Sequence, residues 1–303
     1  MIFSIISPCL NSVLTIQRMI SSVNQQTGVD IEHIVIDGGS DDGSLELLRE
    51  EPSVILVERP GLGLYGALNL GVRMAKGEVV GQLNCDDFYM PDVLSEVATQ
   101  FECFEVDAVY GGAEMFRCTK HGLEVVSRLN GYSQKELTLC NIVSGIPMIN
   151  ARFFRKSIYD LVGGFDEGLK IASDREFLIR IYVSGLRRAI CHNVVYRYEM
   201  HSKSLTLGGA CPRQMLLENL KAAENGLLRT YRNTKLWRAY RYWHSWSVGY
   251  LVGWECFQGN AFAAIKLLGV GLVNNPLLLL MFPVQLVLHF LSRKQRRWSN
   301  DTA

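Results

Sequence analysis

"GLGLYGALNLGVRMAKG", residues 61–77, is the stretch on which the reading of this chain turns. Its first six residues spell G-x-G-x-x-G. The apolar run "SVILVE" precedes them, and after another apolar run an acid follows at Asp86. That is the setting of a dinucleotide-binding turn. Two features count against it. Such a fingerprint belongs to the first βα turn of its domain, where a helix N-terminus meets the pyrophosphate. Here a complete βαβ unit comes earlier, and Pro60 already breaks the strand before Gly61. The acid is also not a lone carboxylate at a strand tip but the pair Asp86-Asp87 in "LNCDDFYMPD". The preferred reading is a loop that uses glycine for a close helix start.

Outward from that stretch, the first hundred residues alternate in texture. "IFSIIS", "EHIVIDGG", "SVILVE" and "VVGQLN" read as strands; "SVLTIQRMISSVNQQ", "SLELLREE" and the segment after Tyr65 read as helices. Alternation of this kind predicts a parallel sheet covered by helices. From about residue 101 to 210 the strands are less regular, as in "VDAVYGGAEMF" and "LRRAICHNVVYRY", and from about 211 onward the texture is helical. The expected organisation is one domain over residues 1–210 with an appendage over 211–303.

The balance of 31 basic and 30 acidic residues gives no global attraction to nucleic acid, and no nucleic-acid partner is expected. Eight cysteines form no C-x-x-C pair, which argues against a structural zinc site or a thioredoxin-like motif. The start, "MIFSIISPCLN", lacks the basic and long apolar regions of a signal peptide. Scattered thiols then fit a reducing compartment.

Three apolar runs lead into carboxylates. Asp37 ends a strand in "HIVIDGGSDDGS", with Asp41, Asp42 and Ser44 in the turn and cap positions that follow. Asp86 and Asp87 end another. Asp174 opens a helix in "KIASDREFLIR". In open α/β sheets ligands bind beyond the carboxyl ends of the strands. Carboxylates gathered there repel one another unless a cation or an electron-poor ligand sits among them. Asp174 also reads as a plain N-cap, shared with Ser173, whereas Asp86-Asp87 has no capping role before "FYMP".

Together these residues resemble the glycosyltransferase family 2 enzymes, which have a GT-A type fold. The matching segments, in order, are "PCLN" (Pro8 to Asn11), "VIDGGSDDGS", "GLYGALNLGVRMAKG", "NCDDFYMP" and "GGFDEGLKIASDREFLIR", covering residues 3 to about 200. The resemblance implies an α/β domain with a Rossmann-like mixed sheet flanked by helices. It further implies a donor pocket lined by Pro8, Asn11, Asp37, Asn84, Asp86 and Asp87. Mg²⁺ or Mn²⁺ would be held by Asp86 and Asp87, with His201 a further candidate, and Asp174 would be the general base. The reaction implied is metal-dependent, inverting transfer from a nucleotide-sugar, a UDP-sugar favoured, to a glycan or lipid-linked acceptor. Three positions depart from the family pattern. Asn84 stands at the first position of the Asp-x-Asp region, Gly66 where Asp is usual, and Gly61 where an acid is frequent. His201 reads equally as a surface histidine. A catalytically inactive nucleotide- or sugar-binding protein on the same fold is the alternative.

The last ninety residues interleave Arg, Trp and Tyr. They then run through "LLGVGLVNNPLLLLMFPVQLVLHFLS" without a charged residue, to end in "RKQRR". A spanning helix needs about twenty uninterrupted apolar residues, and Asn274, Asn275, Pro276 and Pro283 divide this run. Interface-lying helices with a basic end toward anionic lipid fit it, as does an ordinary packed helical bundle, with a single transmembrane pass third. The expected location is the cytoplasmic face of the cell membrane, peripheral or monotopic.

Overall fold

The computed structural model describes residues 1–131, 135–146, 148–201 and 212–274, and the chain divides into two compact units, Met1–Gly208 and Gly209–Ala303. In the first unit, strands β1 (Ile2–Cys9), β2 (Asp30–Asp37), β3 (Ile55–Glu58) and β4 (Val79–Gln82) alternate with helices α1 (Ile16–Asn24), α2 (Ser44–Glu50) and α3 (Leu64–Met74). These four strands are parallel. The chain continues through β5 (Phe88–Tyr89), α4 (Val93–Cys103) and the hairpin β6 (Ala108–Thr119)–β7 (Gly122–Leu129). Then come α5 (Leu139–Ser144), β8 (Arg152–Arg155), α6 (Ser157–Val162), α7 (Ser173–Ser184) and β9 (Arg188–Glu199).

The nine strands form one sheet in the order β3-β2-β1-β4-β8-β6-β9-β5, with β7 paired to β6. β8 is antiparallel to both β4 and β6, and β5 to β9, so the sheet is mixed. Ile34, Val35 and Ile36 of β2 are all buried, because helices cover both faces of the parallel half. α1 buries Ile16, Met19, Ile20 and Val23, the i, i+3, i+4, i+7 stripe of a helix with one apolar face.

The deciding stretch now has a physical account. β3 lies at the edge of the sheet, and the turn that follows it packs on the Asp37 turn: Gly61 N donates to Gly38 O at 2.9 Å and Arg59 N to Asp37 O at 2.8 Å. Gly63 starts α3. Two glycines of the stretch have packing tasks: a Cβ at Gly71 would stand 2.3 Å from Ile6 Cγ2, and one at Gly77 2.7 Å from Ile2 O, so glycine lets the chain lie this close to β1 at both.

Beneath the same strands, His33 is fully buried beside Ser7, whose Oγ is 3.0 Å from His33 Nε2. Burial disfavours the imidazolium and lowers its pKa from 6.5 to about 4. A folded-state pKa below the unfolded one contributes stability above pH 6.5 and loses it as pH falls toward 4. Acidification from pH 7 to 4 should therefore cost about 3 kcal/mol through this residue. Urea melts of His33→Gln at the two pH values should show a loss smaller by that amount; an equal loss in both proteins would contradict the assignment.

The second unit contains α8 (Pro212–Arg229), α9 (Lys235–Phe257) and α10 (Ala261–Asn274). Thr234 caps α9, its side chain accepting from Trp237 N at 3.1 Å. Val248, Val252 and Ala264 form a small core with Leu220, Leu267, Leu268 and Leu272. Arg213 and Asn260 both donate to the buried Glu255 carboxylate, at 2.7 and 3.1 Å. α10 leaves Phe262, Ile265 and Val270 exposed. None of the described helices is long and apolar enough to cross a membrane. The apolar run beyond Asn274 and its basic end lie outside the described residues.

Candidate active site

The carboxyl ends of β1, β2 and β4 meet at one edge of the sheet. Cys9 of β1 is in register with Asp37 of β2, and Ile6 with Gln82 of β4. Cys85 Sγ donates to the Pro8 carbonyl at 3.3 Å, which brings the loop after β4 against the end of β1. Pro8, Asn11, Asp37 and the loop carrying Asp86 are thus drawn from sequence positions 8 to 86 into one neighbourhood.

Asp37 is buried and organises the turn after β2. It accepts from Gly39 N and Ser40 N at 2.8 Å each, and from Ser40 Oγ at 2.5 Å. Gly39 has φ +103°, a left-handed conformation that suits glycine. Asn11, also left-handed, clamps the same turn: its backbone N donates to Ser40 Oγ at 2.9 Å and its Oδ1 accepts from Asp41 N at 3.0 Å. Asp42 accepts from Val13 N and from Ser44 N and Oγ. Burial works to raise the Asp42 pKa, but these bonds outweigh it and hold the carboxyl below its ordinary range. The sequence places turn and cap residues here; Asp42 is a turn residue, but the N-cap of α2 is Gly43, with no side-chain cap, and the helix begins at Ser44.

The two acids after β4 part company. Asp86 remains about one-third exposed and lies 2.8 Å from His201 Nε2, itself one-third exposed. Asp87 is wholly buried: Oδ1 accepts from Glu199 N at 2.7 Å, and Oδ2 accepts from Tyr196 Oη and from Asn84 Nδ2. Burial first, and the Asp86 charge second, push the Asp87 carboxyl well above the usual carboxylate range. The resemblance makes Asp87 a metal ligand, and here both of its oxygens are engaged by protein donors. It is an internal anchor that ties the loop to β9, and Asn84 turns inward with it. His201, read from sequence as a ligand or a bystander, is in contact with Asp86.

Asp174 is the second residue of α7, half-buried, and its Oδ1 accepts from Arg175 N at 2.6 Å. The N-cap position belongs to Ala172, with no side-chain cap, so the capping account of Asp174 and Ser173 does not hold. Arg175 donates to the carbonyls of Val143 and Gly145 and thereby fixes the start of α7 against the end of α5. The other side of this segment is fixed by α3. Tyr65 Oη donates to Ile171 O at 2.9 Å and its ring stacks on Phe165. Asn69 exchanges two hydrogen bonds with the Phe165 backbone and reaches Glu167. The "GLYGALN" and "GGFDE" stretches are therefore one interlocked layer.

Among the described residues no group of three His, Cys, Asp or Glu side chains is arranged to hold a metal ion. The fit of a divalent ion rests on the Asp86–His201 pair. Its carboxylate oxygen suits Mg²⁺ or Mn²⁺ alongside phosphate and water oxygens, and its imidazole nitrogen suits the softer Mn²⁺ better than Mg²⁺.

The glycosyl transferase family 2 profile matches residues 4–163, more than half of the chain. The chain belongs to this family. Among similar members, chondroitin synthase from Pasteurella multocida (strain Pm70) is 28% identical over 202 residues. Those residues make up 63% of this chain but only 20% of that enzyme, so this chain spans a fraction of that relative. Of solved structures, S. aureus TarS in complex with UDP-GlcNAc superposes with a TM-score of 0.62 at 19% identity, covering 82% of this chain and 72% of that one. A mannosyltransferase from Pyrobaculum calidifontis, in complex with GDP-Man and Mn2+, gives 0.57 at 17% identity, covering 94% and 83%. The fold of this family-2 chain is accordingly the GT-A type α/β fold, with helices following it.

Proposed function

We propose that this family-2 chain is an inverting glycosyltransferase, moving a sugar from a nucleotide-sugar, a UDP-sugar by preference, to a hydroxyl of a glycan or lipid-linked acceptor. The observation that carries the reading is the convergence of Pro8, Asn11, Asp37 and Asp86 at the carboxyl edge of β1, β2 and β4. The buried Asp37 turn supplies a rigid wall for the nucleoside. Asp86 and His201 are the residues that would hold Mg²⁺ or Mn²⁺. When bound, such an ion neutralises charge developing on a departing diphosphate.

Asp174 takes the proton of the acceptor hydroxyl as its oxygen attacks the anomeric carbon from the side opposite the leaving nucleotide. One displacement inverts that carbon and needs no nucleophile from the protein. The test is to incubate the chain with UDP-, GDP- and dTDP-sugars and Mn²⁺, follow nucleoside diphosphate release, and determine the anomeric configuration of the product. Inversion is expected; retention would overturn the single-displacement assignment.

The setting is surface polysaccharide or lipid-linked glycan assembly at the cytoplasmic membrane face. Its support is the uncharged run and basic end of the C-terminal sequence, continuous with the exposed Phe262, Ile265 and Val270 of α10. Truncation after Asn274 keeps the core of Val248, Val252 and Ala264 intact. That variant should no longer sediment with anionic phosphatidylglycerol vesicles, whereas the full chain does. Equal sedimentation of the two would contradict attachment through these residues.

A further inference from the structure

Asp86 and His201 reach one another from two loops that are 115 residues apart in sequence. One follows β4; the other is the exit from β9. Pairs of exposed side chains on loops hold their geometry only when the backbones beneath them are fixed. The links between these two backbones can be followed atom by atom. Glu199 N donates to Asp87 Oδ1 at 2.7 Å, and Met200 N donates to Phe116 O at 2.7 Å, leaving His201 as the next residue. A further link comes from a third element. Arg18, on α1, donates from Nη2 to the main-chain oxygen of Asp86 at 2.6 Å and pairs with the carboxylate of Glu199. Its guanidinium sits 5.1 Å from the Phe88 ring centre and 5.3 Å from that of Phe116. One planar cation thus spans both loops and the aromatic floor between them.

We infer that Arg18 is a positioning residue of the donor site, holding Asp86 at its distance from His201 by tying the Asp86 main chain to the end of β9. The inference rests on the reading of Asp86 and His201 as the metal-holding pair. Both bonds leave Nη2, while Nη1 donates to Cys118 Sγ at 3.6 Å; arginine suits the task because its flat guanidinium lies on the Phe88 and Phe116 rings while it donates, which a lysine ammonium does not reproduce. Burial disfavours the Arg18 charge, but the Glu199 carboxylate outweighs that and keeps the group firmly cationic. Glu199 is nine-tenths buried, so removing Arg18 alone would also strand an anion.

The test uses three variants of the full chain, with Mn²⁺ binding in the presence of UDP followed by calorimetry and by electron paramagnetic resonance. Arg18→Met keeps the stem over Phe88 and Phe116 and removes the donors. Arg18→Met/Glu199→Gln also removes the stranded charge, so its ligand-free melting temperature should return toward wild type. Both should bind Mn²⁺ about 10- to 100-fold more weakly, the range expected when a partner that orients a metal ligand is lost. Asp86→Ala, the third variant, should lose Mn²⁺-dependent binding altogether. Wild-type Mn²⁺ affinity in Arg18→Met/Glu199→Gln would overturn the inference while leaving the ligand reading intact. Wild-type affinity in Asp86→Ala itself would overturn both.

Discussion

Asp174→Asn is expected to lower the rate of sugar transfer by about two to four orders of magnitude while donor and Mn²⁺ binding stay near wild type. The substitution preserves shape and hydrogen-bonding reach and removes the ability to take a proton. The structure sharpens its meaning. Asp174 is not the N-cap of α7, so a change in activity has no capping explanation. Its Oδ1 accepts from the adjacent Arg175 N, a bond that an asparagine oxygen also accepts. An anion in the first turn of a helix is favoured by the backbone dipoles, and an ionised carboxylate is what proton abstraction requires at neutral pH. Single-turnover rates together with donor affinity decide the matter. A variant with nearly full activity would remove Asp174 from the chemistry; a variant that loses donor binding in step with rate would make it a binding residue.

Asp86→Ala is the second large effect. It should abolish the Mn²⁺-dependent part of nucleoside diphosphate binding, because no neighbour can substitute. Asp87 is buried and committed to Tyr196, Glu199 and Asn84, and Asn84 itself faces Asp87. His201 would remain as a lone donor. The fold should survive, since the Asp86 carboxylate is partly exposed and its structural bond, to Arg18, is made by the main chain. Calorimetric titration of UDP with and without Mn²⁺ reads this directly. Metal-dependent binding at wild-type strength in the variant would mean that the ion, if one is used, is held elsewhere.

These two residues also mark how far the sequence could be read. Asp37 and Asp86 were legible because each follows a short apolar run, and a strand that ends in an acid puts that acid at the ligand-binding edge of a parallel sheet. Asp87 was not legible. Which of two adjacent acids faces outward depends on the turn 84–87 and on Tyr196, which lies 109 residues further on. Arg18 was equally hidden. It interrupts the polar side of an amphipathic helix, where a basic residue ordinarily means solvent, and its partners Asp86 and Glu199 lie 68 and 181 residues away. The G-x-G-x-x-G match carried little information for a related reason. The motif records glycine spacing but not strand order, and here the strand before it is an edge strand, while Gly71 and Gly77, which close packing on β1 requires, lie outside the motif.

The central claim is that this edge of the sheet binds a nucleotide-sugar with the help of a divalent ion held by Asp86. The most direct measurement is the thermal stability of the full chain against UDP-, GDP- and dTDP-sugars, each with Mn²⁺ and with a chelator, alongside Asp86→Ala. A ligand at a hundred times its dissociation constant adds about 2.7 kcal/mol to folding stability, a shift of several degrees. The account predicts such a shift for at least one donor, lost with the chelator and lost in Asp86→Ala. A chain that no donor stabilises, or one stabilised equally with and without metal and with and without Asp86, would contradict it.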